Sequence, residues 1–250
     1  MIATEKDITP AQWKRRSVLS FAVFILFLLL CFAGWNWLKK QPTEAGAIKP
    51  LRTVLNTNEN IFYSLFNPGR LAQTYPKQFA VPRVRVNGDA GLGTDFDAST
   101  WRLKLIKAPG DTLFISLDEI KKLPKTDVIF DFKCIEGWSQ VTHWSGVKFS
   151  DFVKHYGLDA QMALRFTGME TPDGEYYVGL DNKSMLQPQT ILCYEMNGAA
   201  LPLNQGFPLR LIIPVKYGVK HLKRIGTIAF SDDRPRDYWY ERGYDYYCGL

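Results

Sequence analysis

The chain has 250 residues, of which 46% are hydrophobic and 14% aromatic, with a formal net charge of +6. That suffices for one sizeable core. Its 31 lysines and arginines form no block of like charge, so no nucleic-acid footprint is expected, while attraction to an acidic partner or an anionic membrane surface stays open.

Residues 18–38, VLSFAVFILFLLLCFAGWNWL, carry no charge and are long enough to cross a bilayer as a helix. Lys14, Arg15 and Arg16 precede the run, Lys39 and Lys40 follow it, and Trp35 and Trp37 sit where an interfacial aromatic belt falls. A cleaved signal has a shorter apolar stretch and a small-residue site directly after it; here two lysines intervene. The reading is an uncleaved anchor with residues 1–17 as a cytoplasmic tail, because the heavier basic flank lies on that side. The globular part is then expected on the periplasmic side of the inner (cytoplasmic) membrane, in a single-pass protein. Arg15 and Arg16 also loosely fit twin-arginine export, a signal that gains force only if the domain folds around a cofactor first.

Residues 39–56 read as a linker with Pro42, Gly46 and Pro50, followed by a domain over 57–250. ENIFYSLF is apolar without a clear period, and NPGR marks a turn. PRVRVNGD alternates into an Asn-Gly pair, a strand entering a tight turn. WRLKLIKA is a further strand. SLDEIKKL has Ser116 and Glu119 in capping-box spacing, a short helix stopped by Pro124. TDVIFDFKC is a strand with Cys134 at its end, and SDFVKHYG a helix capped by Ser150 and closed by Gly157. Strands are expected at MALRFTG, EYYVGL, TILCYEM, PLRLIIPV and HLKRIGTIAF, with turns at Asn197-Gly198 and Tyr217-Gly218. The sum is one strand-rich α+β domain on a membrane helix.

The four cysteines stand at 31, 134, 193 and 248, none in C-x-x-C spacing. A nucleophile would need a base, and only His143, His155 and His221 exist. Cys134 is therefore a core residue, half of a disulfide with Cys193 or Cys248, or a thiolate ligand. Free cysteine is among the most buried residue types, which makes the first reading the commonest. Against it, Gly137 allows close backbone approach, and Trp138 and Trp144 can wall a pocket. Arg210 interrupts an apolar strand; a guanidinium in a core takes a carboxylate or phosphate partner, whereas one on an edge strand faces water. His221 and Lys223 are two apart and in a strand would share a face. A dianionic phosphate would satisfy them there, although a solvated basic face is the commoner outcome.

Together CIEGWSQVTHWSGVKFSDFV, YEMNGAALPLNQGFPLRLIIPVKYGVKHLKRI and DYWYERGYD resemble the molybdopterin-binding domain of the sulfite oxidase superfamily over about residues 57–247. Within it they look most like the periplasmic protein-methionine-sulfoxide reductase catalytic subunits and related bacterial sulfite-oxidase-like proteins. The resemblance implies a strand-rich mixed α+β fold and one molybdopterin carrying molybdenum. Cys134 becomes the metal ligand, and a soft thiolate suits a metal already bound by sulfur. Gln205, Arg210 and Lys223, with His221 beside the last, would hold the pterin and its phosphate; Asn60, Tyr63 and Ser64 would add N-terminal contacts. Glu136, Trp138 and His143 would shape the substrate side, His143 serving as a proton donor or as a histidine outside the site.

Three departures stand out. Gln205 occupies a position where the family has asparagine or histidine, and His143 one where the reductases have proline. CIEGWS replaces the arginine-rich pattern that follows the cysteine in true sulfite oxidases. The implied activity is oxygen-atom transfer at molybdenum, with reduction of a small or protein-bound sulfoxide-like substrate as the first reading. Oxidation of sulfite or another small oxyanion is the second, and a metal-free tethered binding or assembly module the reading outside the enzymes. With no haem domain fused, electrons would come from a separate carrier, which the reductase resemblance makes a haem-containing membrane subunit.

Overall fold

A computed structural model describes residues 9–67, 69–93 and 95–249. The first eight residues of the expected tail and Pro68 of the NPGR turn lie outside the described residues. Helix α1 (Pro10–Lys39) starts eight positions ahead of the apolar run, because Thr9 and Gln12 form a capping box and Pro10 takes the first turn. The basic flank is therefore helical. None of α1 is buried, and it is long and apolar enough to cross a membrane.

The stretch expected as a linker is folded. Strands β1 (Thr43–Glu44) and β2 (Ala47–Ile48) form a hairpin whose turn residues, Ala45 and Gly46, both have positive φ. Helix α2 (Lys49–Leu65) follows at once with Pro50 in its first turn, and ENIFYSL completes it. Proline and glycine thus mark a turn and a helix start. Arg52 fixes the arrangement: its buried guanidinium donates to the carbonyls of Glu44 (3.4 Å), Tyr244 (2.8 Å) and Tyr240 (2.9 Å), and to that of Ala45.

The remaining elements are β3 (Leu103–Ala108), β4 (Asp111–Ile115), α3 (Leu117–Lys121), β5 (Lys125–Lys133), β6 (Ser139–Lys148), α4 (Phe149–Tyr156), α5 (Asp159–Met162), β7 (Phe166–Glu170), β8 (Tyr177–Asp181), α6 (Asn182–Met185), β9 (Ile191–Met196), β10 (Ala199–Ala200), β11 (Arg210–Ile212) and β12 (Thr227–Ser231). One sheet runs β10-β9-β6-β5 with β11 also on β9; the other runs β4-β3-β12-β7-β8. Among the described residues only β3 and β12 pair in parallel. One apolar cluster joins the sheets through Leu103, Leu105, Ile228, Leu192 and Leu211, with Phe149 and Phe152 of α4. A smaller cluster of Val128, Phe130, Trp144, Ile191 and Ile212 backs the other face of the first sheet. At the β6 bulge Gly146 is obligatory, because a Cβ there would lie 2.1 Å from the Leu192 carbonyl oxygen.

Several boundaries differ from expectation. PRVRVNGD joins no strand ladder. Pro82 lacks an N–H, and the carbonyls of Val84, Arg85, Asn87 and Gly88 accept from the side chains of Gln205 and Lys223 instead. In MALRFTG the strand begins only at Phe166, after α5, and PLRLIIPV pairs only over Arg210–Ile212. Residues 221–226 are not a strand: Gly218–Lys220 is a 3-10 turn and Arg224 has φ 55°. The alternation argument for His221 and Lys223 fails with it. Ser150 does not cap α4, whose N-cap is Lys148, although Gly157 closes the helix at φ 60° as expected. The Ser116–Glu119 capping box forms.

Candidate cofactor-binding and active site

Strand alternation builds the site. On β5, Val128, Phe130 and Phe132 point to one face, and Cys134, one step past the strand end, keeps that parity. The Cys134 N–H donates to the Trp138 carbonyl (2.9 Å) and the Gly137 N–H to the Cys134 carbonyl (3.0 Å), with Gly137 at φ +89°. This tight turn carries the chain into β6, where Gln140 and Trp144 look into the same space. Cys134 is buried and unpaired, as are Cys193 and Cys248, so the disulfide reading is out.

The space is a cleft of about 390 Å³, within the ~300–1,000 Å³ usual for cofactor and ligand sites. It brings together Cys134, Glu136, Trp138, Gln205, Arg210, His221 and Lys223 of the residues expected from sequence. Arg210 is only 2% exposed. Its Nη1 donates to the backbone carbonyl and to Oε1 of Gln205, both at 3.0 Å, and its guanidinium lies 4.5 Å from the Trp144 ring centre. Its Nε has no hydrogen-bond partner, and among the described residues it makes no salt bridge. Burial pulls its pKa down to about 10. The Lys223 ammonium donates to the carbonyls of Asn87 (2.6 Å) and Gly88 (2.8 Å); burial first, and Arg210 second, lower its pKa to about 8. Two cations thus face one cleft with no carboxylate bonded to either among the described residues.

Four expected residues take other places. Asn60, Tyr63 and Ser64 lie on α2 and do not line the cleft. Ser64 donates to the Asn60 carbonyl (2.7 Å), and Tyr63 packs under Lys183 at 4.0 Å. That side of the cleft is lined instead by Arg85 and residues 87–90, where the Asn87 amide donates to Cys134 Sγ (3.2 Å). His143 has the wrong parity on β6: it turns away from the cleft, 3.5 Å from Asp127 and 3.4 Å from Ser145 Oγ. A hydrogen bond from Ser145, with help from Lys77 and His143, holds Asp127 at about 2. His143 is thus a buried member of that polar cluster, on the face of β6 away from the cleft.

His221 reaches the cleft as a wall rather than a phosphate donor. Its Nε2 faces the Lys216 carbonyl (3.1 Å), its Nδ1 meets the Ile213 N–H (3.5 Å), and burial followed by Arg210 lowers its pKa to about 3. It is neutral at physiological pH. At the mouth, Trp138 stacks on Phe132 and donates to Glu136 (3.0 Å), with the Arg85 guanidinium 4.7 Å from its ring centre. Tyr176, Tyr238, Trp239 and Tyr244 complete the lining and were missed as site residues, although DYWYERGYD contains three of them.

These groups fit a molybdopterin. The buried thiol with an amide on its sulfur suits a soft metal, and the partnerless Arg210 Nε and the carbonyl-bound Lys223 suit a phosphate. The cleft therefore has the donor set for an anionic, metal-bearing prosthetic group. The model of the oxidoreductase molybdopterin-binding domain matches residues 91–239, and the chain belongs to that family, an oxidoreductase using Mo-molybdopterin. A protein of Azospira oryzae named "Putative protein-methionine-sulfoxide reductase subunit YedZ1" is 33% identical, over 74% of this chain and 70% of that one. The protein-methionine-sulfoxide reductase catalytic subunit MsrP of Campylobacter jejuni is 30% identical, over 59% of this chain and 54% of its own. Human mitochondrial sulfite oxidase is 25% identical, over 60% of this chain and 32% of its own. The chain thus spans about half of MsrP and a third of sulfite oxidase. The sulfane dehydrogenase SoxCD of Paracoccus pantotrophus shares the fold, with a TM-score of 0.50, 16% identity, and coverage of 68% of this chain and 47% of that one.

The lowered pKa of Lys223 has a measurable effect. Between about 8 and the ordinary 10.5, the unfolded chain keeps the proton that the folded, cofactor-free chain has released. Stability of the cofactor-free protein should therefore rise with pH across that window. Lys216, also lowered to about 8 by burial, adds to the slope, so the comparison is with Lys223→Met. Thermal melts from pH 7.5 to 10 should show a shallower rise in the variant; identical slopes would return Lys223 to solvent.

Proposed function

We propose that this chain is the cofactor-bearing part of an exported, membrane-tethered enzyme that reduces a sulfoxide-type substrate with electrons from a separate carrier. In this reading α1 crosses the inner membrane, the domain lies on the periplasmic side, and a haem-containing membrane subunit is the electron donor. The observation that carries the choice of substrate is the aromatic lining beside Cys134, from Trp138, Tyr176, Tyr238, Trp239 and Tyr244. Aromatic rings make favourable contacts with thioether-like sulfur and have little to offer a doubly charged sulfite. The similarity to MsrP points the same way.

When bound, the molybdenum cofactor supplies two-electron oxygen-atom transfer, the step that side chains cannot perform. Cys134 anchors the metal, and the Asn87 amide orients its sulfur. Arg210 and Lys223 neutralise the phosphate. Gln205 links the two walls, accepting from Arg210 and donating to the Val84 and Arg85 carbonyls. Reduction of a sulfoxide to the corresponding thioether takes up two electrons and two protons and releases water. With His143 turned away, Glu136 is a carboxylate that lines the cleft, and the Trp138 indole holds it at the mouth.

The test is paired. Loaded protein should oxidise a reduced viologen dye when given methionine sulfoxide, and should fail to reduce ferricyanide when given sulfite. Turnover in the sulfite assay alone would replace the reductase reading with the oxidase one. Protein that acquires no molybdenum when expressed with full cofactor supply would favour the tethered module.

A further inference from the structure

Helix α2 is built inside out. Its buried residues are Arg52 and Glu59, whose partners are the backbone of the hairpin and the 240–244 segment, and Arg234. Five of its large apolar residues are exposed instead, Leu51 48%, Val54 55%, Ile61 48%, Phe62 57% and Leu65 75%, alongside exposed Lys49, Thr53, Thr57, Asn58, Asn60 and Ser64. At 100° per residue these five fall within an arc of about 100°, centred about 120° away from Arg52 and Glu59. The only charged residues of the helix are Lys49, Arg52 and Glu59, and none lies in that arc. Phe62 stacks on Tyr247 at 6.2 Å yet stays more than half exposed. A helix that merely faced water would carry the reverse pattern.

We infer that this apolar face lies on the bilayer surface, seating the catalytic domain against the membrane that α1 crosses. The occupant follows from continuity. α1 ends at Lys39 and α2 begins at Lys49, so nine residues join them, and Thr43–Ile48 are folded back as the hairpin that Arg52 pins to α2. A fully extended join would reach only about 30 Å, and the hairpin shortens it. Trp35 and Trp37 place the interfacial end of α1 within a turn of that join, with Lys39 over the Trp35 ring. A helix held this near the headgroups, with a charge-free arc of five apolar residues and Asn58, has the composition of an interfacial helix; Arg52 and Glu59 are held by protein, and the exposed Thr53, Thr57, Asn60 and Ser64 lie outside the arc.

The inference rests on α1 being a span, and the experiment separates the two. The full-length holoprotein, carrying benzoylphenylalanine in place of Phe62, Leu65, Leu28 or Phe114 in turn, is reconstituted into phosphatidylethanolamine–phosphatidylglycerol vesicles, irradiated, and analysed by intact mass. Lipid adducts are expected at Phe62, Leu65 and Leu28, and none at Phe114, which is as exposed but lies on β4. Adducts at Leu28 without any at Phe62 and Leu65 would overturn the surface seating and leave the span intact. No adduct at Leu28 would overturn the span reading and this one with it. Chain-to-chain crosslinks at Phe62 and Leu65 would make a second copy the occupant, and equal yield at Phe114 would deny the face any selectivity.

Discussion

Cys134→Ser should yield a folded, pterin-containing protein whose turnover has dropped by more than about 100-fold. Loss of mere outer-shell partners at metal sites already costs ~10–100-fold, and a hard hydroxyl is a poor substitute for a thiolate on a soft metal. Folding should survive, because serine fits the same turn: the Cys134 N–H to Trp138 carbonyl bond is backbone to backbone. The measurements are kcat by dye oxidation, pterin fluorescence after release, and near-ultraviolet circular dichroism. Wild-type turnover with full pterin content would remove this sulfur from the chemistry and return Cys134 to the role of a small core residue.

Arg210→Met should separate two quantities that usually move together. Each charge-assisted hydrogen bond is worth ~1.5–3 kcal/mol, so cofactor retention should fall by about 10–100-fold. Stability of the cofactor-free protein should change by less than about 1 kcal/mol. The buried guanidinium lacks an anionic partner, and removing such a desolvated charge offsets the loss of its two bonds to Gln205. A purely structural arginine would behave otherwise, weakening cofactor-free and loaded protein alike. Denaturant titration of both forms, with pterin dissociation followed in parallel, decides the matter.

Sequence periodicity carries the reading far where the chain is regular. The strand patterns locate β5 and β9, and the capping box places α3, because each pattern reflects contacts within the element itself, whereas β6, broken by polar residues and Gly146, does not read as a strand. His143 is turned out of the site only by that strand, on which Gln140 and Trp144 have the opposite parity. Arg210 and Lys223 are identifiable as anion-seeking cations, but the strand inferred around Lys223 is not there. Its position depends on the Asn87 and Gly88 carbonyls, more than a hundred residues away. Such cross-chain bonds leave no local trace, and for that reason Asn87 reads from sequence only as a turn residue. The N-terminal region misleads for a related cause: proline and glycine look alike whether they loosen a linker or start a helix, and only the Arg52 bonds to Tyr240 and Tyr244 decide between the two.

Those Arg52 bonds also set an order of events in biosynthesis. They join positions separated by 188 and 192 residues, and the Tyr244 they hold sits beside the cleft. While the ribosome is still elongating, nothing can occupy that side of the chamber, because the segment that forms it has not been made. Closure of so long a loop is entropically late as well. The wall containing Cys134 is therefore translated well before the opposite wall exists, and residues 238–244 act as a door hung after the room is built.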